Sequence, residues 1–237
     1  EDHNRLVVTL VGEPEALKTA VLEAMAAAVA SIDLREHHGQ HPRMGAVDVV
    51  PFIPIRGVSM DEAVELSRKV AAAAAETLNL PIFLYEESAS APHRRNLAEI
   101  RKGQFEGMPA KLRQPEWRPD YGPAELVPQW GATCAGARDF LIAYNVNVLG
   151  TKEQAHRIAL NIREQGRGAK EPGRLKAVRA IGWWVEEYGL AQVSINLEDY
   201  RTTPPHVAFE ACVEEARALD LAVAGSELVG LIPLEAV

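Results

Sequence analysis

The chain has 237 residues, 47% of them hydrophobic, and 25 Lys+Arg against 33 Asp+Glu give a net charge of −8. This is enough chain for one large domain or two smaller ones, and the acidic balance argues against nucleic acid or an anionic membrane as the main partner, since phosphate recognition needs a basic face. No apolar run approaches the roughly 18 residues of a membrane span, no signal-peptide pattern opens the chain, and Cys134 and Cys212 form no CxxC pair, which points to buried thiols in a reducing cytoplasm.

The chain opens on "EDHNRLVVTLVG" with no helix ahead of its first strand pattern, so it reads as the middle of something longer. Residues 5–12 are β-branched and apolar on both faces, which predicts a buried strand. An Ala-rich helix follows to about residue 33, then a loop with three histidines, then the strand "VDVVPFIP". Pro51 and Pro54 donate nothing to a ladder and imply an edge or a bulge. Ser59 and Glu62 stand in capping-box spacing ahead of a helix, and "LPIFLYEE" reads as another strand. Residues 90–137 lose periodicity and gather Pro and Gly, which predicts a long irregular segment kept for a function.

Regularity returns at "RDFLIAYNVNVLG", a strand, followed by a helix with Thr151 and Gln154 as capping box. A hairpin with Tyr188-Gly189 near its turn, a helix opening on Pro and a closing strand complete a β-α-β-β-α-β order, the ferredoxin-like split unit. The expectation is α/β (α+β), with a first subdomain over 1–137 and a second over 138–237. Asn145 and Asn147 share one strand face, and Gln192, Ser194 and Asn196 share another. Helices must cover the apolar faces opposite. The amide rows suit either a solvent-facing sheet or a wet groove.

Three stretches bear on chemistry. His37 and His41 are four apart, the spacing of paired zinc ligands on a helix, but Gly39 and Pro42 disfavour a helix there and no HExxH pattern is present. No metal is expected. The loop histidines are then either solvated or a rigid presentation of His41, extended by the following proline and able to take and return a proton near neutrality. Residues 92–118 carry seven Lys/Arg against three acids in an otherwise acidic chain. They form a solvated helix face or a landing strip for carboxylates. "YGPAELVPQWGATCAGAR" (121–138) lacks both GxGxxG spacing and a Walker lysine and suits a close wall for a flat ring.

"HPRMGAVDVVPFIPIRGVSMDE" (41–62), "RRNLAEIRKGQFEG" (94–107), "PEWRPDYGP" (115–123), residues 130–150, "AQVSINLEDY" (191–200) and "GSELVGLIP" (225–233) together resemble the glutamate formiminotransferase family, in order and over nearly the whole chain. The resemblance implies two ferredoxin-like α/β sandwich subdomains whose sheets face each other across a tunnel. It implies an enzyme that moves a formimino group from N-formimino-L-glutamate to tetrahydrofolate, the latter as co-substrate, in histidine breakdown. The family's catalytic histidine falls on His41. Its folate-contacting segment falls on Gly122, Pro123, Ala124, Glu125, Leu126, Val127, Pro128, Gln129, Trp130 and Gly131. Family members begin with a further strand and helix bearing a "VPNFSEG"-type block, continue past "GLIPLEAV" and often carry a cyclodeaminase domain; truncation at both ends is therefore expected.

Beside the resemblance, Arg43 and Arg56 flank the histidine loop and are expected on substrate carboxylates, with Arg94 and Arg95 as further candidates. Asn4, Arg5, Asn145, Asn147 and Asn196 are expected to hydrogen-bond the pterin or the donor. A polyglutamylated folate, a homodimer and a cytoplasmic location are expected, with no nucleic acid and no membrane. Formyl transfer between the same partners and a non-catalytic folate-binding module are the alternatives.

Overall fold

The computed structural model describes residues 4–39 and 41–237. The chain divides into two compact units, Glu1–Arg138 and Asp139–Val237. Together they hold a three-stranded parallel sheet and a four-stranded antiparallel sheet, an α+β arrangement.

In the first unit, α1 (Pro14–Ser31) begins on a proline whose missing N–H has no partner to lose at that position. β1 (Val49–Phe52) follows, then α2 (Met60–Leu78). The Ser59–Glu62 capping box forms as expected and satisfies two of the helix's free amides reciprocally. β2 (Ile82–Leu84), two short helices, α3 (Leu97–Arg101) and α4 (Gln104–Lys111), and then β3 (Thr133–Ala137) complete the unit. The strand order is β1-β3-β2, all parallel, so β1 is an edge, as Pro51 requires. Both faces of this sheet are buried, the usual state of parallel strands. On one side Ile82, Leu84, Ala135 and Ala137 pack under α2 with Val70 and Ala74. On the other, Phe83 and Cys134 join Met44, Ile100 and Met108 beneath α3 and α4.

Two expectations change here. Residues 5–12 form no strand; Leu6, Val7, Val8 and Val11 are exposed and make no ladder. A β-prone stretch becomes a strand only when an edge accepts its hydrogen bonds, and both β1 and β2 pair with β3 alone among the described residues. Conversely, "TCAGA" is the central strand, though it looked like part of a Gly-rich wall. Its small residues are a packing requirement: a Cβ on Gly136 would lie 2.3 Å from the Tyr85 carbonyl oxygen.

The second unit follows the expected order: β4 (Ile142–Leu149), α5 (Lys152–Ile162), β5 (Val178–Val185), β6 (Leu190–Leu197), α6 (Pro205–Arg217) and β7 (Ala222–Val229). Its antiparallel order β5-β6-β4-β7 is that of the ferredoxin-like split unit. Thr151 and Gln154 form the second capping box. Val146, Val148, Val193, Ile195 and Leu197 are buried with Ile158, Ile162 and Cys212 in one core. Residues alternate along each strand, so Asn145, Asn147, Gln192, Ser194 and Asn196 lie on the opposite face. The register sets Asn145 against Ser194 and Asn147 against Gln192. Among the described residues no helix is long and apolar enough to cross a membrane.

Candidate active site

The loop that follows α1 is pulled onto the sheet by its own backbone. Met44 is fully buried beneath the sheet, its amide donates to Asp48 Oδ1 at 2.9 Å, and its carbonyl accepts from Ala132 at 3.0 Å. Ala46 donates to the Trp130 carbonyl at 2.9 Å, and Leu34 donates to that of Gln129 at 2.8 Å. The histidine loop and the segment 122–131 are thus laced together just ahead of β3, although about 80 residues of chain separate them. Gly131 makes the approach feasible. It sits at φ +70°, and a Cβ there would lie 2.2 Å from the Met44 carbonyl oxygen.

His41 stands half-buried at the start of this loop. Its Nδ1 is 2.7 Å from the Pro42 carbonyl oxygen. A carbonyl only accepts, so Nδ1 carries the proton and Nε2 is the basic nitrogen. Arg5 Nη1 lies 2.7 Å from Nε2 and 2.9 Å from Nδ1, nearly equidistant from the two ring nitrogens and so off the Nε2 lone-pair direction. Burial first, and then the Arg5 charge, push the imidazole from its ordinary 6.5 down to about 4, against the opposing pull of the Pro42 carbonyl. Arg101 lowers it further and Asp48 raises it, both more weakly. His41 is therefore a neutral base at pH 7.

Asp48 organises the surrounding charge. It accepts from Arg101 Nη2 as well as from Met44, and lies 3.8 Å from Arg5 Nη1. Burial and the neighbouring Arg101 guanidinium push Arg5 below its usual range, while Asp48 pulls the other way. Asn4 donates to the His38 carbonyl at 2.7 Å, and His37 Nε2 lies 2.8 Å from the Asn4 carbonyl, which fixes the approach of the chain to the loop.

Among the expected residues, Asn4, Arg5, His41, Arg43 and the Gln129–Gly131 end of the 122–131 segment gather in the first unit around this loop, while Gly122 lies against the Leu80 carbonyl. Arg43 is committed elsewhere than expected. It forks onto Glu106 at 2.7 and 3.0 Å, holds the His37 carbonyl and covers the Phe105 ring. It braces α4 to the loop and, in doing so, lowers the Glu106 carboxyl. Arg94 is buried against Asp120 and the carbonyls of Glu116 and Arg118, while Arg95 pairs with Glu87. Arg56 is exposed beyond β1, with no ion pair among the described residues.

Asn145, Asn147 and Asn196 belong to the second unit. There Gln192 donates to Asn147 Oδ1 at 2.8 Å and to Glu227 at 3.1 Å, and accepts from Trp183 Nε1 at 2.8 Å, while Asn196 is exposed. Burial pushes the Cys134 thiol well above its ordinary value, so it supplies no thiolate. Among the described residues no group of three His, Cys, Asp or Glu could hold a metal ion.

Asp48 and Arg101 were not foreseen as site residues. Asp48 belongs to no motif, and Arg101 is one charge in the basic run of residues 92–118. The signal available was the run itself, since seven cations in residues 92–118 of an acidic chain need counter-ions from elsewhere.

Residues 1–138 match the "Formiminotransferase domain, N-terminal subdomain" family and residues 143–237 match the "Formiminotransferase domain" family. Similar proteins include a formimidoyltransferase-cyclodeaminase of Dictyostelium discoideum, 55% identical over 99% of this chain and 44% of the relative. The rat protein of the same name is 56% identical over 98% of this chain and 43% of its own length. A glutamate formimidoyltransferase of Streptococcus pyogenes serotype M1 is 45% identical over 99% of this chain and 77% of the relative. The chain spans less than half the length of the two-activity relatives. With both of its units matched and the relatives aligned almost end to end along it, the chain belongs to the formiminotransferase family.

Proposed function

We propose that the protein transfers a formimino group from N-formimino-L-glutamate to tetrahydrofolate, giving 5-formiminotetrahydrofolate and glutamate. The observation that carries this reading is a neutral His41 whose Nδ1 proton is held by the Pro42 carbonyl, set in a loop laced to the segment 122–131. Names of relatives such as glutamate formimidoyltransferase support the same chemistry.

The folate N5 lone pair attacks the formimino carbon, and the carbon–nitrogen double bond opens to a tetrahedral centre bearing two competing amines. His41 Nε2 takes the proton from N5. The resulting imidazolium is a strong acid in this environment and gives the proton to the glutamate nitrogen. The bond to that nitrogen breaks, and the formimino double bond reforms on the folate side. Acid–base help of this kind is worth about 10²–10⁴-fold. Alignment of the two substrates supplies the larger part of the acceleration.

In this reading the segment from Gly122 to Gly131 walls the pterin, and the Arg5–Arg101 cluster faces the donor's carboxylates. The test is His41→Gln assayed for transfer and, separately, for folate binding. Transfer is expected to fall about 10²–10⁴-fold with folate still bound; a near-normal rate in the variant refutes the acid–base assignment. Running formimino and formyl donors side by side assigns the transferred group, and folate binding without transfer from either donor marks a binding module.

A further inference from the structure

The peptide plane between Arg43 and Met44 is held on both sides. Its N–H donates to Asp48 Oδ1 at 2.9 Å, and its carbonyl accepts from the Phe105 amide at 2.9 Å. The plane just before it carries the Pro42 carbonyl, which accepts from His41 Nδ1. Two planar peptides are joined only through the φ and ψ of the residue between them, here Arg43, whose side chain is itself forked onto Glu106. Fixing the second plane therefore confines the first.

Asp48 is placed to do the fixing. Its side chain is 14% exposed, and Oδ2 accepts from Arg101 at the end of α3. Its own carbonyl accepts from the Cys134 amide of β3 at 3.0 Å, and Thr133 Oγ1 donates to the neighbouring Val47 carbonyl at 2.6 Å. One carboxylate thus joins a loop peptide to a sheet and a helix. Both of its oxygens must accept, one from an amide and one from a guanidinium, which a carboxylate does and a carboxamide cannot. Its direct field on the imidazole, by contrast, is the weakest of the influences on that ring.

We propose that Asp48 is a positioning residue for His41: by clamping the Arg43–Met44 peptide against Arg101 and β3, it holds the Pro42 carbonyl on Nδ1 and so keeps Nε2 as the basic nitrogen.

A free neutral imidazole carries its proton mainly on Nε2, the opposite arrangement. In His41 that tautomer leaves Nε2 unable to take a proton and sets the Nδ1 lone pair against a carbonyl oxygen. Where a carboxylate orients a catalytic histidine by touching it, the two form one hydrogen bond. Here the carboxylate reaches the ring through two peptide planes. The catalytic consequence rests on the formimino-transfer reading, and the clamp stands independently of it.

The ¹⁵N signals of the His41 ring in the whole chain at pH 7, with no substrate present, test the clamp. Wild type is expected to show the Nδ1–H form alone. In Asp48→Asn one of the two bonds must fail, and an Nε2–H population is expected to appear. Asp48→Glu keeps the charge but displaces it by a methylene, and should do the same. Asp48→Asn combined with Arg101→Met frees the amide oxygen of the new side chain for the Met44 N–H, and the Nδ1–H signature should return. A ring that stays purely Nδ1–H in both single variants overturns the proposal, as does a double variant with the same tautomer mixture as Asp48→Asn. Should Asp48→Asn not fold, Asp48→Glu against the double variant carries the same comparison.

Transfer kinetics add the catalytic readout. Both single variants are expected to lower kcat by up to about 100-fold, with KM for tetrahydrofolate unchanged. A loss confined to KM makes Asp48 a substrate ligand and overturns the positioning role. Ring signals that respond as expected in a protein that transfers nothing refute the formimino reading and leave the clamp standing.

Discussion

At the scale of single residues, the imidazole of His41 is set by three neighbours of different kinds. The Pro42 carbonyl chooses the tautomer, the Arg5 guanidinium sets a positive charge against the ring, and Asp48 limits how much of the cationic field reaches it. The ring titrates at about 4 in the folded chain, below its ordinary 6.5. Between these values the unfolded chain binds a proton that the folded one refuses. The His41 contribution to stability is therefore fully present above about pH 6.5 and is lost as pH falls toward 4. An NMR titration of the His41 ring should stay in the neutral form down to about pH 5, and Arg5→Met should move its midpoint upward. A midpoint near 6.5 in the wild type contradicts this electrostatic account. Arg43 carries a lesson at the same scale. Its position beside the histidine made it a natural substrate ligand, yet its fork is spent on Glu106, 63 residues further along the chain.

At the scale of elements, the site exists because two irregular segments are fastened to regular ones. The histidine loop ends where β1 begins, and the 122–131 segment ends where β3 begins. β1 and β3 are paired neighbours, Val49 against Cys134. That pairing brings together two loops that sequence distance keeps apart. Glycines at the junction let the backbones close. Gly131→Ala must place a Cβ 2.2 Å from the Met44 carbonyl oxygen at a φ of +70°. The change should cost about 1–3 kcal/mol, read as a lowered urea midpoint. Folate affinity should fall with it, because the 122–131 wall is displaced. An unchanged midpoint would mean the lacing is loose. The capping boxes at Ser59 and Thr151 behave otherwise: each is complete within four residues, and each was legible directly from the spelling of the helix start.

At the scale of the molecule, the two units reach stable sheets by different routes. The first buries both faces of a small parallel sheet, and the second covers one face of an antiparallel sheet with α5 and α6. The opposite face of the second sheet carries a connected polar chain, Trp183 to Gln192 to Asn147 and Glu227. A ligand bound by the folded chain alone stabilises it by mass action. Tetrahydrofolate at 100 times its dissociation constant should add about 2.7 kcal/mol to unfolding, visible as a raised thermal midpoint. His41→Gln should retain that rise, since the histidine is assigned to proton transfer and not to holding the pterin. Absence of any rise in the wild type would count against folate as a ligand of this chain.

The sequence by itself determined what depends on neighbours in the chain: the capped helices, the edge position that Pro51 demands, the β-α-β-β-α-β order of the second unit, and the membership carried by the "HPRMG" block and its companions. It offered His41 as a candidate, because a proline after it and a strand behind it are local facts. Only the tertiary structure decided the rest. Residues 5–12 have the pattern of a strand and none of its pairing, and "TCAGA" has little of the pattern and sits at the centre of a sheet. Asp48 and Arg101 became site residues through contact across 53 positions. The physical reason is common to these cases: hydrogen-bond ladders, close approaches and charge compensation are made between segments distant along the chain, and their partners appear only once the chain has closed on itself.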